Sequence, residues 1–470
     1  MSDSEREHEF ETPLRLESTW SDGTDRSYAV SATVQTEMTI RVLRVYHAGR
    51  DSQHRSRERA LVAAGIDVTL VVPSEWPDAG AETQLSPEPF PIVELPVRRA
   101  GDVNRHAYLN RGALQRLIEE IQPNVLDVHE EPVSVAARQW LWAAHDELPV
   151  VMYTAQNVDK RFPPPFSRYE RAAHRHIAAF YPCSRQAAAV SRGKGFTGAI
   201  EVLPLGYNNT EYQPGSQSLD SDEIVLMLVG RLVPEKGVED AVRVLARVHA
   251  TRPARLVVIG EGPEEMRART LAASLGVADS VEFKGWQVGP VLASAYREAH
   301  IALVPSTPTE TWVEQFGRVI VEAQASGAIV AGYANGAIPE VAGNAGLLVP
   351  TGDVERLAEG IVRVTSDPNE FARRRDAGCR QAATRTWQAV AERQATLYRA
   401  VHADKHARLE LPRSPRQRRA AALVEFGPTA STLGGMRPFA LPLLRRDRAI
   451  ARALATVIDA TGELASHLPS

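Results

Sequence analysis

From residue 39 to about residue 404, short apolar runs alternate with amphipathic stretches, and the runs stop at Gly, Pro or polar clusters. Thr39 to Tyr46 reads as a strand that enters His47-Ala48-Gly49-Arg50. A helical pattern follows through Ala64-Gly65, and Ile66 to Val72 reads as a second strand, completing a βαβ unit. Further strands are expected at Pro91 to Pro96, Val125 to Val128, Val150 to Tyr153, Ala179 to Ser184 and Ile200 to Pro204, with a helix from Leu109 to Ile121 ending before Pro123. Tyr212 to Ser221, rich in Pro, Gly, Ser and Asp, reads as a linker. The alternation resumes with Glu223 to Val229, Arg255 to Ile259, Val281 to Lys284, His300 to Val304 and Ala328 to Ala331, and Thr386 to His402 reads as a final helix. Repeated βα alternation predicts α/β architecture with two doubly wound, Rossmann-like sheets and a cleft between them. Ligands are then expected beyond the carboxyl ends of the strands.

Val304 to Gly327 organises the rest. Its apolar strand ends at Pro305, a loop of Ser, Thr, Pro and Trp follows, and a helical pattern begins at about Phe316. Gln315-Phe316-Gly317 is expected at the helix start, where unpaired N–H groups and the positive end of the dipole receive an anion, and Gly317 permits close approach. Glu314 and Glu322 frame this helix. If both were helical, they would stand roughly 80° and 12 Å apart, too far to grip one small group but suited to two ends of an elongated ligand. The alternative is an N-terminal charge favouring the dipole and a solvated helix face.

Other strand ends carry chemistry too. Gly230-Arg231-Leu232-Val233-Pro234-Glu235-Lys236-Gly237 places two glycines around two cations at a strand-to-helix turn, which suits a diphosphate. It lacks the order of a P-loop. His129-Glu130-Glu131-Pro132 follows the Val125 strand, where a His beside carboxylates titrates near neutrality unless it is structural. Gln156 and Asn157 either meet sugar hydroxyls or satisfy turn backbone. His54, Arg55 and Arg57 form either a solvated helix face or an anion contact.

These elements together resemble the family 4 retaining glycosyltransferases, which have the two-domain GT-B fold. Glu314-Gln315-Phe316-Gly317-Arg318-Val319-Ile320-Val321-Glu322-Ala323 is similar to their E-x7-E element, and Gly230 to Gly237 to their G-R-L-x-x-E-K-G turn. Gly260-Glu261-Gly262-Pro263, Gly285-Trp286 and Leu205-Gly206-Tyr207-Asn208 resemble other family turns, with Asn208 where Asp is usual. The resemblance implies a nucleotide diphosphate sugar donor, an unidentified sugar, lipid or small-molecule acceptor, retention of configuration and no metal or other cofactor. It assigns catalysis to His129, Arg231, Lys236 and Glu314, and donor binding to Gly49, Gly230, Arg231, Lys236, Gly262, Gly285, Glu314, Gln315, Phe316, Gly317 and Glu322. Gln156 and Asn157 fall on the acceptor side. The Gly49 turn departs from the commoner two-glycine form.

The implied boundaries are an arm at 1–38, a first domain at 39–211 completed by a crossing helix at 386–404, a donor domain at 222–385, and a basic, partly helical tail at 405–470. The 470 residues, 44% hydrophobic and 24% charged, suit two or three globular domains. A net charge of −4 offers no global attraction to nucleic acid, and Cys183 and Cys379 alone exclude a disulfide framework or a multi-cysteine zinc site. No apolar run approaches a membrane span and the first residues are acidic, so a cytoplasmic protein is expected. Arg413, Arg416, Arg418 and Arg419, with an amphipathic pattern over Leu443 to Ile458, leave the tail two readings: a docking helix or a peripheral membrane contact. The alternatives to transfer are a GT-B sugar phosphorylase, hydrolase or sugar-phosphate synthase, or a non-catalytic, partner-binding subunit on the same fold.

Overall fold

The computed structural model describes residues 39–77, 82, 84–144, 148–219, 223–403 and 425–426. The arm and nearly all of the tail lie outside the described residues. The first domain contains β1 (Arg41–Val45), β2 (Asp67–Pro73), β3 (Ile92–Leu95), a small antiparallel pair β4 (Val97–Arg98) and β5 (Ala107–Tyr108), β6 (Val125–Val128), β7 (Val150–Thr154), β8 (Ala179–Pro182) and β9 (Ala199–Ile200). The second contains β10 (Ile224–Val229), β11 (Ala254–Ile259), β12 (Val281–Phe283), β13 (Ile301–Val304), β14 (Ile329–Tyr333) and β15 (Leu347–Val349).

Each domain is built on a parallel sheet, ordered β3-β2-β1-β6-β7-β8-β9 and β12-β11-β10-β13-β14-β15. Helices cover both faces, so the central strands are mostly apolar: β6, β8 and β13 are buried at every position, Asp127 of β6 included. Leu43, Leu126, Met152 and Phe180 pack on one side of the first sheet, and Val42, Leu70, Val151 and Tyr181 on the other. In each sheet the strand order reverses once, between β1 and β6 and between β10 and β13. A crevice opens at such a reversal, because the connections leave the two strands toward opposite faces.

Several boundaries differ from expectation. The stretch Ile200 to Pro204 pairs as a strand only at Ala199–Ile200, and the small β4–β5 pair was not anticipated. The helix after the Glu314 loop begins at Arg318, two residues beyond Phe316, and runs to Ala325. The final helix, Trp387–Ala403, packs against the helix Ser56–Ala63 of the first domain, and Tyr207 bridges to Thr386 where it arrives. Far beyond it, Glu425 pairs with Arg192 at 2.8 Å and Phe426 packs on Ala188 and Ala189 of the first domain.

Candidate functional site

In the second domain β10 ends at Gly230, and the chain turns through Pro234–Lys236 into the helix Val238–His249. Gly237 makes the turn possible: its φ is +67°, and a Cβ there would lie 2.2 Å from the Pro305 carbonyl oxygen. The turn is thereby pressed against the end of β13, and the Thr307 amide donates to the Glu235 carbonyl at 2.9 Å. Lys236 Nζ reaches Glu314 Oε2 at 2.6 Å and lies 5.1 Å from the centre of the Trp312 ring. Ser306 Oγ donates to the same carboxylate oxygen at 3.2 Å. The Glu314 carbonyl accepts from Ala337 N and from Asn157 Nδ2, the latter reaching over from the first domain at 2.9 Å. Arg231 is exposed and forms no ion pair among the described residues.

Gly317, with φ +79°, caps the helix Arg318–Ala325. Phe316 is buried beneath it in the core, so only its backbone can face a ligand, whereas Gln315 borders the cleft. Glu322 is buried one turn inside the helix, bonded to Arg318 Nε at 3.1 Å and accepting from the Tyr296 hydroxyl at 3.4 Å. Burial raises its pKa and Arg318 opposes the rise. Glu314 and Glu322 are thus held by separate partners, as their spacing requires.

A cavity of about 390 Å³ lies between the domains, bordered by Tyr46, His47, Arg57, His129, Glu130, Tyr153 and Trp387 from the first domain and crossing helix, and by Gln315 and Arg318 from the second. Its floor follows from the β1–β6 reversal. Arg44 and Asp127 are paired positions on those strands, both buried, and their side chains form an ion pair. Arg44 also pairs with Glu58, while Tyr181, Tyr398 and Gln394 all donate to Asp127. Arg44 Nη2 lies 3.1 Å from His129 Nδ1. A guanidinium only donates, so this bond assigns Nδ1 as acceptor and leaves the proton on Nε2. The ring stacks on Tyr153 at 4.0 Å. Burial, then the charges of Arg44 and Arg57, hold the His129 pKa well below its ordinary value, which keeps the imidazole neutral. Beside it, His47 Nδ1 contacts Glu130 Oε2 at 2.7 Å, and the His47 amide donates to Oε1 at 2.9 Å. Burial would raise the Glu130 pKa, yet His47 and His106 bring it below the usual carboxylate value. Burial pushes the Tyr46 phenol up to about 12 against the nearby positive charges of Arg44, Arg57 and Arg318.

Two family models match in succession, Glycosyltransferase Family 4 over residues 58–211 and Glycosyl transferases group 1 over residues 209–381. The chain belongs to the family 4 glycosyltransferases. A D-inositol 3-phosphate glycosyltransferase of Acidothermus cellulolyticus is 38% identical over 185 residues, 35% of this chain and 40% of that protein. The chain therefore spans less than half the length of this relative. Sucrose-phosphate synthase from Thermosynechococcus elongatus aligns over 77% of this chain and 99% of its own, with a TM-score of 0.59 and 20% identity. Anabaena HepE in complex with UDP and glucose aligns over the same shares with a TM-score of 0.59 and 16% identity. These structures establish the GT-B fold.

Within this GT-B chain, the residues read from sequence fall into two groups. Lys236, Glu314, Gln315 and Gly317 gather at the β10–β13 crevice, with Gly230 and Arg231 on the adjoining turn, and His129 faces them across the cavity. Gly262 and Gly285 close the neighbouring strand ends; a Cβ at Gly262 would lie 2.4 Å from the Leu232 carbonyl oxygen. The others have protein partners or neighbours. Gly49 is buried, and a Cβ there would point at Leu70 and Val72, so its small size serves packing against β2 and Ala48 borders the cavity instead. Gln156 and Asn157 are expected at either sugar hydroxyls or turn backbone; Gln156 Oε1 accepts from Lys194 at 3.0 Å, and the Asn157 amide donates to the Glu314 carbonyl of the other domain. Arg57, expected on a solvated face or at an anion, is buried and borders the cavity. Sequence reasoning missed Arg44, His47, Asp127 and Arg318; the available signal was a charge inside each of two apolar runs, Arg44 in Thr39 to Tyr46 and Asp127 in Val125 to Val128. Among the described residues no group of three or more His, Cys, Asp or Glu side chains is placed to hold a metal, and no helix is long and apolar enough to cross a membrane.

Proposed function

We propose that this protein transfers a sugar from a nucleoside diphosphate sugar to a hydroxyl-bearing acceptor, with retention of configuration and without a metal ion. The observation that carries the reading is the meeting of Lys236 and Glu314 at 2.6 Å beside the Gly317 helix start, at the reversal of the second sheet. The leaving group is a nucleoside diphosphate, and negative charge grows on its β-phosphate as the bond to the anomeric carbon breaks. Arg231, Lys236 and the backbone N–H groups after Gly317 meet that charge, which supplies the electrostatic part of catalysis. Glu314 holds the sugar and Glu322 the ribose. The neutral His129, with its Nε2 proton directed by the Arg44 bond, donates to the sugar or acceptor from the opposite wall. The acceptor oxygen bonds to the anomeric carbon on the face the phosphate leaves, and its proton passes to that phosphate. UDP and glucose in Anabaena HepE support a donor of this class.

The test begins with a thermal-shift screen of UDP, GDP, ADP and dTDP sugars, since a ligand at 100 times its dissociation constant stabilises by about 2.7 kcal/mol. The hit is then incubated with candidate acceptors and the product anomer read by NMR, with and without EDTA. Transfer with retention that survives EDTA is expected. Inversion, or loss of transfer on chelation restored by a divalent cation, would sink that part of the reading.

A further inference from the structure

Three contacts from the first domain converge on the segment that carries Glu314. Asn157, just beyond the end of β7 and 3% exposed, brings its side-chain nitrogen to 2.9 Å from the Glu314 carbonyl oxygen. A carbonyl only accepts, so this bond assigns the amide nitrogen, not the amide oxygen, to that side. Cys183, directly after β8, donates its thiol to the next carbonyl, that of Gln315, at 3.8 Å, and burial pushes the thiol up to about 12, which keeps its proton in place. The Arg185 amide, at the start of the helix Arg185–Gly193, donates to the two carboxylate oxygens of Glu340 at 3.0 and 2.9 Å. Glu340 belongs to the helix Ile338–Ala342, and the residues before that helix hold the Glu314 segment from its own domain. Ala337 N donates to the Glu314 carbonyl at 2.9 Å, and Asn335 Nδ2 to the Ser306 carbonyl at 2.5 Å. Gly336 permits the approach: its φ is +52°, and a Cβ there would lie 2.4 Å from the Glu314 carbonyl oxygen. The Glu314 carbonyl therefore accepts one hydrogen bond from each domain, which occupies both of its lone pairs. Because the peptide unit is planar, holding its oxygen from two sides fixes the whole unit, and with it the point from which the Glu314 side chain departs toward Lys236 and Ser306.

We infer that Asn157 is a positioning residue: from the first domain it fixes the backbone of Glu314, so that this carboxylate is aimed at the sugar only while the two domains stand together. The inference rests on the glycosyltransferase reading and adds to it a dependence of the donor-side carboxylate on the acceptor domain. Asn157 touches neither sugar nor phosphate in this role. It acts through one carbonyl, and a separation of the walls that takes the pair beyond about 3.5 Å ends its effect. Arg231, Lys236 and the backbone after Gly317 all belong to the second domain, so they meet the nucleoside diphosphate whether or not Asn157 is engaged. Loss of the bond therefore shows in turnover of the sugar donor and not in affinity for the bare diphosphate.

The experiment uses the full chain with the sugar donor and acceptor found in the screen above. Asn157→Ala should lower kcat for transfer about tenfold, the scale of one hydrogen bond, while KM for the donor and the calorimetric Kd for the nucleoside diphosphate stay within about twofold. Asn157→Asp keeps the shape of the side chain and removes the N–H donor, and should fall as far; it carries the same comparison if Asn157→Ala does not fold. In a Glu314→Gln background the Asn157→Ala change should cost no more than about twofold, because a residue that acts through the Glu314 carboxylate has nothing left to aim. A wild-type kcat in either folded variant overturns the inference. So does an equal loss in both backgrounds, or a parallel loss of nucleoside diphosphate affinity, which marks Asn157 as a support of the whole site. Absence of transfer by the wild-type protein with every donor and acceptor would count against the glycosyltransferase reading instead, which separates the two failures.

Discussion

Lys236 Nζ and Glu314 Oε2 stand 2.6 Å apart across the crevice between β10 and β13. A cation expected at the diphosphate and a carboxylate expected at the sugar thus neutralise each other. Donor binding must redistribute this pair, drawing Lys236 toward phosphate. Glu314→Gln should accordingly strengthen binding of a bare nucleoside diphosphate by about fivefold, the scale of a partly exposed ion pair near 1 kcal/mol, while lowering sugar transfer. Calorimetry with the diphosphate and initial rates with the sugar donor read the two effects. Weaker diphosphate binding would show that the pair holds the site open instead.

Lys236→Ala removes a charged donor that contributes about 1.5 to 3 kcal/mol to phosphate binding, and should weaken nucleoside diphosphate affinity roughly tenfold to hundredfold. Arg231→Ala is expected to act in the same direction without disturbing Glu314, because Arg231 has no ion pair to release among the described residues. Unchanged affinity in both variants would remove the diphosphate from this turn.

Gly237→Ala places a side chain on a residue with φ +67° and a Cβ 2.2 Å from the Pro305 carbonyl. Left-handed strain alone costs about 1 to 2 kcal/mol, and the contact forces the turn away from β13. Urea unfolding should show that loss of stability, and the folded fraction should bind nucleoside diphosphate less tightly because Lys236 moves with the turn. Full affinity in the folded variant would separate the turn's position from Lys236.

Burial raises the Glu322 pKa above its ordinary value of 4.5, so the folded protein keeps this proton at pH values where the unfolded chain has lost it. Stability from this group is complete below about pH 4.5 and falls as the pH rises through the folded value. Glu322→Gln should flatten that part of the profile, so its Tm falls less than the wild-type Tm between pH 4.5 and 7. The same variant should bind nucleoside diphosphate more weakly, having exchanged a carboxylate acceptor for an amide at the ribose. A Tm profile parallel to the wild type would rule out the buried carboxylate as its cause.

For His129 the sign is opposite. Burial and the neighbouring arginines depress its pKa from 6.5, so the unfolded chain takes up a proton first on acidification. The stability involved is present above pH 6.5 and is lost as the pH falls toward the folded value. His129→Asn should remove this acid-side loss, and it should lower transfer while nucleotide affinity holds, since the ring stands on the opposite wall from Lys236. If transfer is unchanged, the ring is structural.

The sheets were legible because each central strand is a mainly apolar run, interrupted by a charge at Arg44 and Asp127, and closed by Gly, Pro or a polar cluster, as at Val125 to Val128 before His129. The meeting of Lys236 with Glu314 was legible for a similar reason: Arg231, Lys236, Glu314 and Gly317 lie in two short segments, each at the end of a strand. The floor of the other wall was not. Arg44 and Asp127 are 83 residues apart, and Asp127 and Tyr398 are 271 apart, so no window of sequence holds the pair that fixes His129. Nor does periodicity tell an exposed arginine from Arg57, whose burial depends on Trp387 and Gln394 arriving from the far end of the fold.

That arrival bears on how the protein is made. Asp127 meets the Tyr398 hydroxyl across 271 residues of chain, and Val390, Ala391 and Tyr398 complete a core that Val42 and Leu70 begin. At a synthesis rate of about 5 to 20 residues per second, the ribosome needs roughly 15 to 55 seconds to make the intervening segment. During that interval the nascent first domain exposes the apolar face that the crossing helix will cover, with the Arg44–Asp127 pair lacking its final hydroxyl partner. The second domain, whose own strands and helices are continuous in the chain, can close before the first is finished, so the half synthesised first is the half completed last.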